Sequence, residues 1–466
     1  YESGLGVGVD LDGDILVGGD RDEGIEIYRR NAEGEWIGEG RYRAPDETFE
    51  WCCDFDFCWA CDPDGSVDSF GSAVAVSGKR VVVGAPGNDV NGNDAGAAYV
   101  FARRKNGTWR LEQRLDPPGP RPDDGFGCAV SIEERRILVG ASGADDGAGA
   151  VYEFALRRGT WVGAQSFGVS GSLGFGRDLA LDGNQVLVAS DNAAYVFERP
   201  SGSWVESETL DVEVEGCGTP NCVALDGDLA AVRAEKADGA VAAFRKVSGI
   251  WSRIQTVTSP GPSEFSEFGK ALDLAGHVLV IGDPQGGDEE NGSAYVYDFG
   301  NGAWVYRETL EEGDWLYGAG FGSAIALDNE QLAVSAPADH YGDGVVYIFV
   351  DTPTMDEMNI DVLPWSTRNL IDPTSTRLVP VAMHGADTFD ALQTDLRSLR
   401  LMPGDAPARN YRVMDVNRDG FMDMVSYYRS RDLNIPCGES QLELTGSTHQ
   451  GIEMHGADTV TNARCR

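Results

Sequence analysis

The most specific candidate chemistry in this 466-residue sequence is an oxygen-rich loop near its C-terminal end. Asp415, Asn417 and Asp419 occupy alternate positions, a glycine follows, and Asp423 lies four residues after Asp419. Carboxylate and amide oxygens at this spacing, with a turn glycine, are typical of a Ca²⁺ loop, and Phe421 would add its backbone carbonyl. We therefore predict a calcium site here. The alternative is a solvated acidic turn between two strands.

A second candidate calcium loop contains Asp89, Asn91 and Asn93. Its side chains have the same oxygen chemistry, but Asn and Asp also form turns without any metal. The first loop resembles the calcium loops of dockerins and thrombospondin type 3 repeats. It lacks the glutamate that closes an EF-hand loop at position twelve.

Nine cysteines indicate an oxidising, extracellular setting. Cys217 and Cys222 lie five residues apart in a turn, and Cys437 and Cys465 both lie in the tail, so we predict one disulfide within each pair. Cys128 is then left as a free thiol that behaves as a small buried hydrophobe.

The other four cysteines, Cys52, Cys53, Cys58 and Cys61, form one cluster in an insertion. Two disulfides among them would make a stiff projection, with a connectivity that the sequence leaves open. The alternative is a zinc or iron–sulfur site, since Cys58 and Cys61 have C-x-x-C spacing. Neighbouring aspartates disfavour a cluster of metal-bound thiolates, and a matching second C-x-x-C is missing.

The same insertion carries four large rings, Trp51, Phe55, Phe57 and Trp59. Ordinary surfaces seldom expose so many aromatic side chains together, so an exposed cluster would mark a contact site. We predict binding or self-assembly through these rings. The alternative is that the insertion folds back and covers a face or edge of its own domain.

Evidence for catalysis is weak in this sequence. Its five histidines have no metal-ligand spacing, no nucleophile elbow is present, and carboxylates are too abundant for one pair to stand out as acid and base. We predict a non-catalytic protein, although fold alone excludes no enzyme.

The elements that would position these residues belong to a pattern repeated seven times. Each copy has an apolar run after an aromatic-Gly pair, a second run ending in Gly-Ala-Pro or a variant, an aromatic third run and, in six copies, a Trp. The copies open at Leu5-Gly6, Phe70-Gly71, Phe126-Gly127, Phe175-Gly176, Thr219-Pro220, Phe268-Gly269 and Phe321-Gly322. Short apolar runs between Gly, Asp and Asn clusters predict strands.

Four strands in each of seven units predict a seven-bladed β-propeller over residues 1–350, with the Cys-rich insertion at 51–64. The Phe-Gly and Gly-Ala-Pro landmarks resemble FG-GAP repeats, the modules of the integrin α-subunit propeller and of many secreted bacterial proteins. Copies four and five depart most from this pattern. The seventh copy lacks the Trp strand, so its sheet is three-stranded, or is completed by residues 351–358 or by another molecule.

After a polar linker at 351–358, the repeat stops. Short apolar runs over 359–466 predict a small calcium-binding β-sandwich of about a hundred residues. This tail resembles a module found at the ends of secreted bacterial and archaeal proteins, which bears on location and fold only.

The formal charge of −39 argues against nucleic-acid binding and favours calcium capture. No run of eighteen apolar residues exists that could span a membrane. Tyr1 begins almost directly on the first predicted strand, as a processed N terminus would.

Together these features predict a secreted or cell-surface adhesion or structural protein. It would be stabilised by Ca²⁺ and disulfides, and its partner would be itself, in a homo-oligomer or filament, or other cell-surface proteins and polysaccharides. The alternatives are a polysaccharide- or glycoprotein-binding module and, third, an extracellular hydrolase.

Overall fold

A computed structural model gives the architecture. It describes residues 5–20, 24–32, 34–45, 50–54, 57–61, 68–191, 193–210, 212, 222–234, 239–261, 266–287, 291–300, 302–311, 319–328, 331–338, 344–350, 356–357, 359–366, 369–385, 391, 394–417, 422–447 and 453–464. The chain divides into two compact units, Tyr1–Val350 and Asp351–Arg466. Both are built almost entirely of strands, so the all-β prediction is confirmed.

The described part of the first unit consists of successive antiparallel sheets and one hairpin. Sheet 1 comprises β1 (Gly8–Asp12), β2 (Ile15–Asp20), β3 (Gly24–Arg30) and β4 (Trp36–Tyr42), and the hairpin comprises β5 (Glu50–Asp54) and β6 (Phe57–Cys61). Sheet 2 comprises β7 (Ala73–Ser77), β8 (Arg80–Ala85), β9 (Ala97–Arg103) and β10 (Trp109–Leu115). Sheet 3 comprises β11 (Phe126–Glu133), β12 (Arg136–Ala141), β13 (Ala150–Arg157) and β14 (Thr160–Phe167), with a four-residue helix, α1 (Ala144–Gly147), between β12 and β13.

The remaining sheets follow the same order. Sheet 4 comprises β15 (Asp178–Asp182), β16 (Gln185–Ala189), β17 (Ala194–Glu198) and β18 (Val205–Leu210). Sheet 5 comprises β19 (Val223–Asp226), β20 (Leu229–Ala234), β21 (Ala240–Val247) and β22 (Ile250–Val257). Sheet 6 comprises β23 (Leu272–Ala275), β24 (Val278–Asp283), β25 (Ser293–Gly300) and β26 (Ala303–Glu311). Sheet 7 comprises β27 (Ile325–Leu327), β28 (Gln331–Ala336) and β29 (Val345–Val350).

Neighbouring sheets pack face to face through apolar side chains. The first strand of each sheet contacts the first strand of the next, and β1 of sheet 1 also contacts β27 of sheet 7. Val9 and Leu11 are buried in one cluster with Ala324 and Ala326. Sheets 1 and 7, which are farthest apart in sequence, are therefore direct neighbours.

The Phe-Gly and Gly-Ala-Pro landmarks meet at the boundaries between sheets. A Cβ at Gly84, in the Gly-Ala-Pro of sheet 2, would overlap the backbone carbonyl of Gly127, in the Phe-Gly of sheet 3; Gly140 and Gly176 are related in the same way. Gly127 also has a φ of +100°, which disfavours any side chain there. The two glycines thus allow two backbones to approach more closely than a β-carbon would permit.

The divergent fourth copy fits this explanation. Ala189 takes the place of the Gly-Ala-Pro glycine in sheet 4, and the following copy is the one that has Thr219-Pro220 instead of Phe-Gly. The two departures from the pattern therefore fall on opposite sides of the same boundary.

Tryptophans fill the outer space between the sheets, paired with a cation and a carboxylate. The Trp109 indole donates a 2.8 Å hydrogen bond to Glu39 of sheet 1, which also pairs with Arg103. The Trp161 indole donates to Glu112 of sheet 2, whose carboxylate pairs with Arg80 at 2.7 Å. Aromatic burial and a satisfied indole N–H together hold these two boundaries. The buried indole N–H groups of Trp204, Trp251 and Trp304 have no hydrogen-bond partner, so aromatic burial acts without that bond there.

The second unit has two sheets that share one apolar core. One comprises β31 (Ile360–Val362), β33 (Leu378–Met383), β36 (Asn410–Met414) and β37 (Asp423–Arg429). The other comprises β30 (Asp356–Glu357), β32 (Leu370–Ile371), β34 (Arg400–Met402), β35 (Ala406–Pro407), β38 (Glu439–Ser447) and β39 (Glu453–Asn462); a 3₁₀ turn spans Ser430–Asp432. Asp356 and Glu357, placed in the linker by sequence, pair in parallel with β39. Sequence analysis missed β36 and β39.

The glycine contact between sheets 2 and 3 is open to a direct test. We expect Gly84→Ala to destabilise the protein by about 1–3 kcal/mol or more, because the new methyl group overlaps backbone that has no alternative rotamer. Chemical denaturation measures the change.

Gly163→Ala is the matched control. Gly163 lies on an outer strand and a Cβ there would contact nothing within 4 Å. If the two variants were equally stable, the close backbone approach would not explain the Gly-Ala-Pro landmark.

Candidate functional site

The first strands of all seven sheets line a cavity of about 280 Å³. Most of the residues that line it are apolar, such as Val9, Val130 and Leu225, but the surface that they expose to the cavity is mainly polar. Three carboxylates, those of Asp10, Asp178 and Asp273, also line it, from sheets 1, 4 and 6. Titratable groups of distant repeats thus meet in one cavity that is partly open to solvent.

Each of these carboxylates accepts backbone hydrogen bonds from the next sheet. The N–H of Val76 donates to Oδ2 of Asp10 at 2.6 Å, and the N–H of Leu327 donates to Oδ2 of Asp273 at 2.6 Å. Oδ2 of Asp178 accepts from Cys222 at 2.6 Å and from Val223 at 3.0 Å. The three side chains therefore link the first strands of consecutive sheets.

Burial perturbs the ionisation of two of them. The pKa of Asp10 is raised to about 7, mainly by desolvation; the Val76 N–H opposes this rise, and the charge of Asp273 adds to it. Desolvation likewise raises the pKa of Asp273 to about 7, with the charges of Asp226 and Asp178 adding to the effect. A carboxylic acid that titrates near neutrality can serve as a general acid, so this cavity is the feature that a hydrolase would use.

A second set of carboxylates links the hairpin turns that follow the first strands. In each case an Asp at the end of one sheet's first strand, or just after it, accepts the N–H of the turn glycine in the next sheet. The pairs are Asp12 with Gly78, Asp182 with Gly227, Asp226 with Gly276, and Asp328 with Gly13. The last pair joins sheet 7 to sheet 1 at 2.9 Å.

Neither set was identified from the sequence. The three cavity aspartates stand inside apolar runs, and among 76 acidic residues nothing distinguished them. The available signal was an ionisable side chain at a position where the strand pattern predicts burial, which is uncommon unless the group has a partner.

The predicted calcium residues of the second copy make turn contacts. Oδ1 of Asp89 accepts the N–H of Asp94 at 2.7 Å. The side-chain amide of Asn91 donates to Asp116, and that of Asn93 donates to Asp94, each at 2.8 Å. These bonds are those expected of a turn, and calcium binding by this loop stays a prediction.

In the tail loop, Asp423 is fully buried, and its carboxylate accepts the N–H groups of Val416 at 2.6 Å and Gly385 at 2.9 Å. Asp415 and Asn417 lie in the segment that directly follows β36. Asp419 and Phe421 lie outside the described residues. Across the described parts of both units, no group of three or more His, Cys, Asp or Glu residues is arranged to hold a metal.

The structure describes three of the cysteines outside the insertion. Cys222 and Cys437 are each disulfide-bonded, and Cys128 is free on β11. Their predicted partners, Cys217 and Cys465, lie outside the described residues. Both pairings therefore stay predictions.

The insertion forms the β5–β6 hairpin, in which Cys53 is opposite Cys58 and Cys52 is opposite Trp59. Phe55 lies outside the described residues, and so do the side chains of Trp51, Phe57 and Trp59. Binding through these rings and the disulfide connectivity stay predictions.

Comparison with known proteins identifies the repeat. The profile of the FG-GAP repeat matches residues 62–101 and 109–154, so the chain contains FG-GAP repeats at two positions, as the landmarks predicted. Proteins with FG-GAP repeats are generally non-enzymatic and typically extracellular. No match was found among curated proteins.

Among solved structures, the chain is similar to the crystal structure of the computationally designed Ika8 protein. The identity is 15%, the TM-score is 0.42, and the match covers 75% of this chain and 97% of that one. We base no conclusion about fold or function on this similarity. Within the described residues, no helix is long and apolar enough to cross a membrane.

The raised pKa of Asp273 predicts a pH dependence of stability. Because the folded-state pKa of about 7 lies above the ordinary value of 3.8, the folded protein binds this proton more tightly. The contribution to stability therefore falls as pH rises from about 4 to 7, by at most about 1.4 kcal/mol per pH unit. We expect Asp273→Asn to flatten the pH dependence of the unfolding free energy, measured by denaturant titration from pH 5 to 8.

Asp328→Asn is the control, because it alters a carboxylate that accepts a neighbouring sheet's N–H but does not line the cavity. Parallel pH profiles for the wild type and Asp273→Asn would contradict the assignment.

Proposed function

We propose that the first unit is a closed seven-bladed β-propeller and that the chain is a secreted, non-catalytic adhesion or structural protein. In this proposal it is a subunit of an extracellular assembly or filament. The contact between sheets 1 and 7 and the cavity lined by seven first strands support closure. The two FG-GAP repeats support an adhesion-type role.

One observation carries the non-catalytic assignment: the cavity carboxylates are used to join sheets. Asp273 accepts one N–H on each oxygen, from Leu274 at 2.8 Å and Leu327 at 2.6 Å. Both oxygens of Asp178 are engaged in the same way. A catalytic acid or base needs an oxygen directed at substrate, whereas these oxygens face backbone donors.

Binding is then left to the outer surface. Each of sheets 1 to 6 has a tryptophan at or just before its fourth strand, which we call the boundary tryptophan. In four sheets the residue after it is apolar and at least two-fifths exposed, and these residues are Ile37, Val162, Val205 and Val305. They lie at equivalent positions on four outer strands, so they offer a repeated contact around the unit. Repetition of one contact suits assembly with copies of the same chain.

Calcium and disulfides complete the proposal. A net charge of −39 creates self-repulsion that bound Ca²⁺ would reduce. Disulfides at Cys222 and Cys437 suit an oxidising location.

Assembly is tested by light scattering coupled to size exclusion. We expect the purified protein to form species larger than its 50.0 kDa monomer when Ca²⁺ is present and smaller species after chelation. A monomer at all concentrations, with and without Ca²⁺, would refute the assembly role.

The calcium prediction is tested separately, at the tail loop. Saturating Ca²⁺ at about 100 times its Kd should raise stability by about 2.7 kcal/mol. We expect Asp415→Ala to abolish most of the calcium-dependent rise in melting temperature, because it removes the first ligand. Asp405→Ala, an exposed acid of the same unit, is the control. If the melting temperature changed neither with Ca²⁺ nor with chelator, the calcium site would be excluded.

A hydrolase is the second candidate, favoured by the raised pKa values of Asp10 and Asp273 in one cavity. A screen of polysaccharide substrates with the wild type and with Asp10→Asn distinguishes the two. Turnover that disappears in Asp10→Asn, while the variant stays folded, would replace the adhesion proposal.

A further inference from the structure

The outer edge of sheet 7 differs from that of the six other sheets. In sheets 1 to 6 the third strand pairs with a fourth, whereas within the described residues no strand pairs with the outer side of β29. β29 reads Val-Val-Tyr-Ile-Phe-Val, and Tyr347 and Phe349 pack their rings on Phe321. An apolar strand that has no neighbouring strand on one side, as β29 has none among the described residues, is able to accept another strand.

The register of the six existing fourth strands is constant. We number the boundary tryptophan n. Residue n+4 then pairs with the third-strand residue that directly precedes an aromatic residue of that strand. The pairs are Gly40 with Ile27, Gln113 with Val100, Gln165 with Glu153, Glu208 with Val196, Gln255 with Ala243, and Glu308 with Val296. In sheet 7 the corresponding residue is Ile348, which precedes Phe349. The same register would place residue n+4 of an added strand opposite Ile348.

In sheets 2, 4 and 5, residue n+4 also bonds to the backbone of the tryptophan in the next sheet. The side chain of Gln113 accepts the Trp161 N–H at 2.9 Å and donates to the Trp161 carbonyl at 2.8 Å. Gln255 makes both bonds with Trp304, at 2.8 and 3.0 Å. Glu208 accepts the N–H of Trp251 at 3.0 Å. In these three sheets the fourth strand thus binds the fourth strand that follows it, whereas Gly40 of sheet 1 has no side chain and the buried side-chain nitrogen of Gln165 in sheet 3 has no hydrogen-bond partner.

Within the described residues this contact is also missing on both sides of sheet 7, and there the flanking side chains are more exposed. Glu308, at position n+4 of sheet 6, is 52% exposed and pairs with its neighbour Arg307 at 3.2 Å. Trp36 of sheet 1 is half-buried, whereas the five other boundary tryptophans are between 2% and 7% exposed. A strand added to β29 would offer a backbone N–H to Glu308 and a side chain to the backbone of Trp36.

The sequence identifies what the added strand must contain. Gln or Glu follows a tryptophan by four residues in five of the existing fourth strands. The tryptophans outside the fourth strands, Trp51, Trp59, Trp315 and Trp365, are followed at that distance by Phe55, Pro63, Ala319 and Asn369. Each strand with this pattern is therefore already paired within its own sheet.

We propose that the outer edge of β29 is a docking site for an extended segment of a partner polypeptide. The segment pairs antiparallel with β29 and carries a tryptophan followed four residues later by Gln or Glu. Backbone pairing supplies affinity, and the tryptophan and the n+4 residue supply register and specificity. This site gives the proposed assembly role a defined partner chemistry.

A labelled peptide that copies residues 249–258 tests the proposal, because it contains the tryptophan and glutamine of β22 in one short segment. We expect saturable binding by fluorescence anisotropy. Peptides with Trp→Ala or Gln→Ala should bind about tenfold more weakly, as should the Glu308→Ala protein, since each change removes an anchor or a bond to a charged group. Hydrogen exchange should show new protection over residues 345–350.

Glu311→Ala is the matched control, because Glu311 is an exposed acid on the same strand, and it should bind like the wild type. The proposal would be overturned if the peptide did not bind, or if its affinity did not depend on the tryptophan or on Glu308. It would also be overturned if the new protection lay away from residues 345–350. These outcomes are independent of the light-scattering experiment, so failure of strand docking is distinguishable from failure of self-assembly.

Discussion

Hydrogen bonds from backbone N–H groups to carboxylates of the adjacent sheet are the constraint on which the first unit depends. A sheet of four short strands buries one apolar face on each neighbour, but apolar packing alone does not fix how far one sheet slides along the next. Asp10, Asp178 and Asp273 fix this relation near the cavity, and the turn aspartates fix it again one hairpin away. Directional bonds to backbone thus set the relative position of sheets that apolar contacts hold together.

Those bonds carry an electrostatic cost. Burying a carboxylate between packed strands penalises its charged form, and neighbouring carboxylates increase the penalty. The donated N–H groups act in the opposite direction, because they stabilise the anion. For Asp10 and Asp273 desolvation is the larger effect, so these groups are held near the midpoint of their titration at neutral pH. The inner part of the unit is therefore the part most sensitive to pH.

Much of this architecture was predictable from the sequence, because strand periodicity and repeat landmarks are local signals. The first, second and third strands of the copies, and the six tryptophan strands, correspond to observed strands. In the tail, β33 and β37 were predicted from apolar runs, whereas β36 was missed because it is short and mostly exposed, and β39 because polar residues dominate it. The cavity carboxylates were missed for a different reason. Their role depends on which backbone donor lies opposite, and that partner is 44 to 66 residues away in the sequence.

The paired glycines at four of the boundaries have an evolutionary consequence. A close backbone contact needs a small residue at Gly84 and another at Gly127, which belong to different repeats. Recombination that exchanged one whole repeat would therefore separate two residues that must match. The segment that can be exchanged without loss begins inside one repeat and ends inside the next. Ala189 and Thr219-Pro220 are such a paired change across a repeat border, whereas Arg233 lies opposite an unchanged Phe268-Gly269.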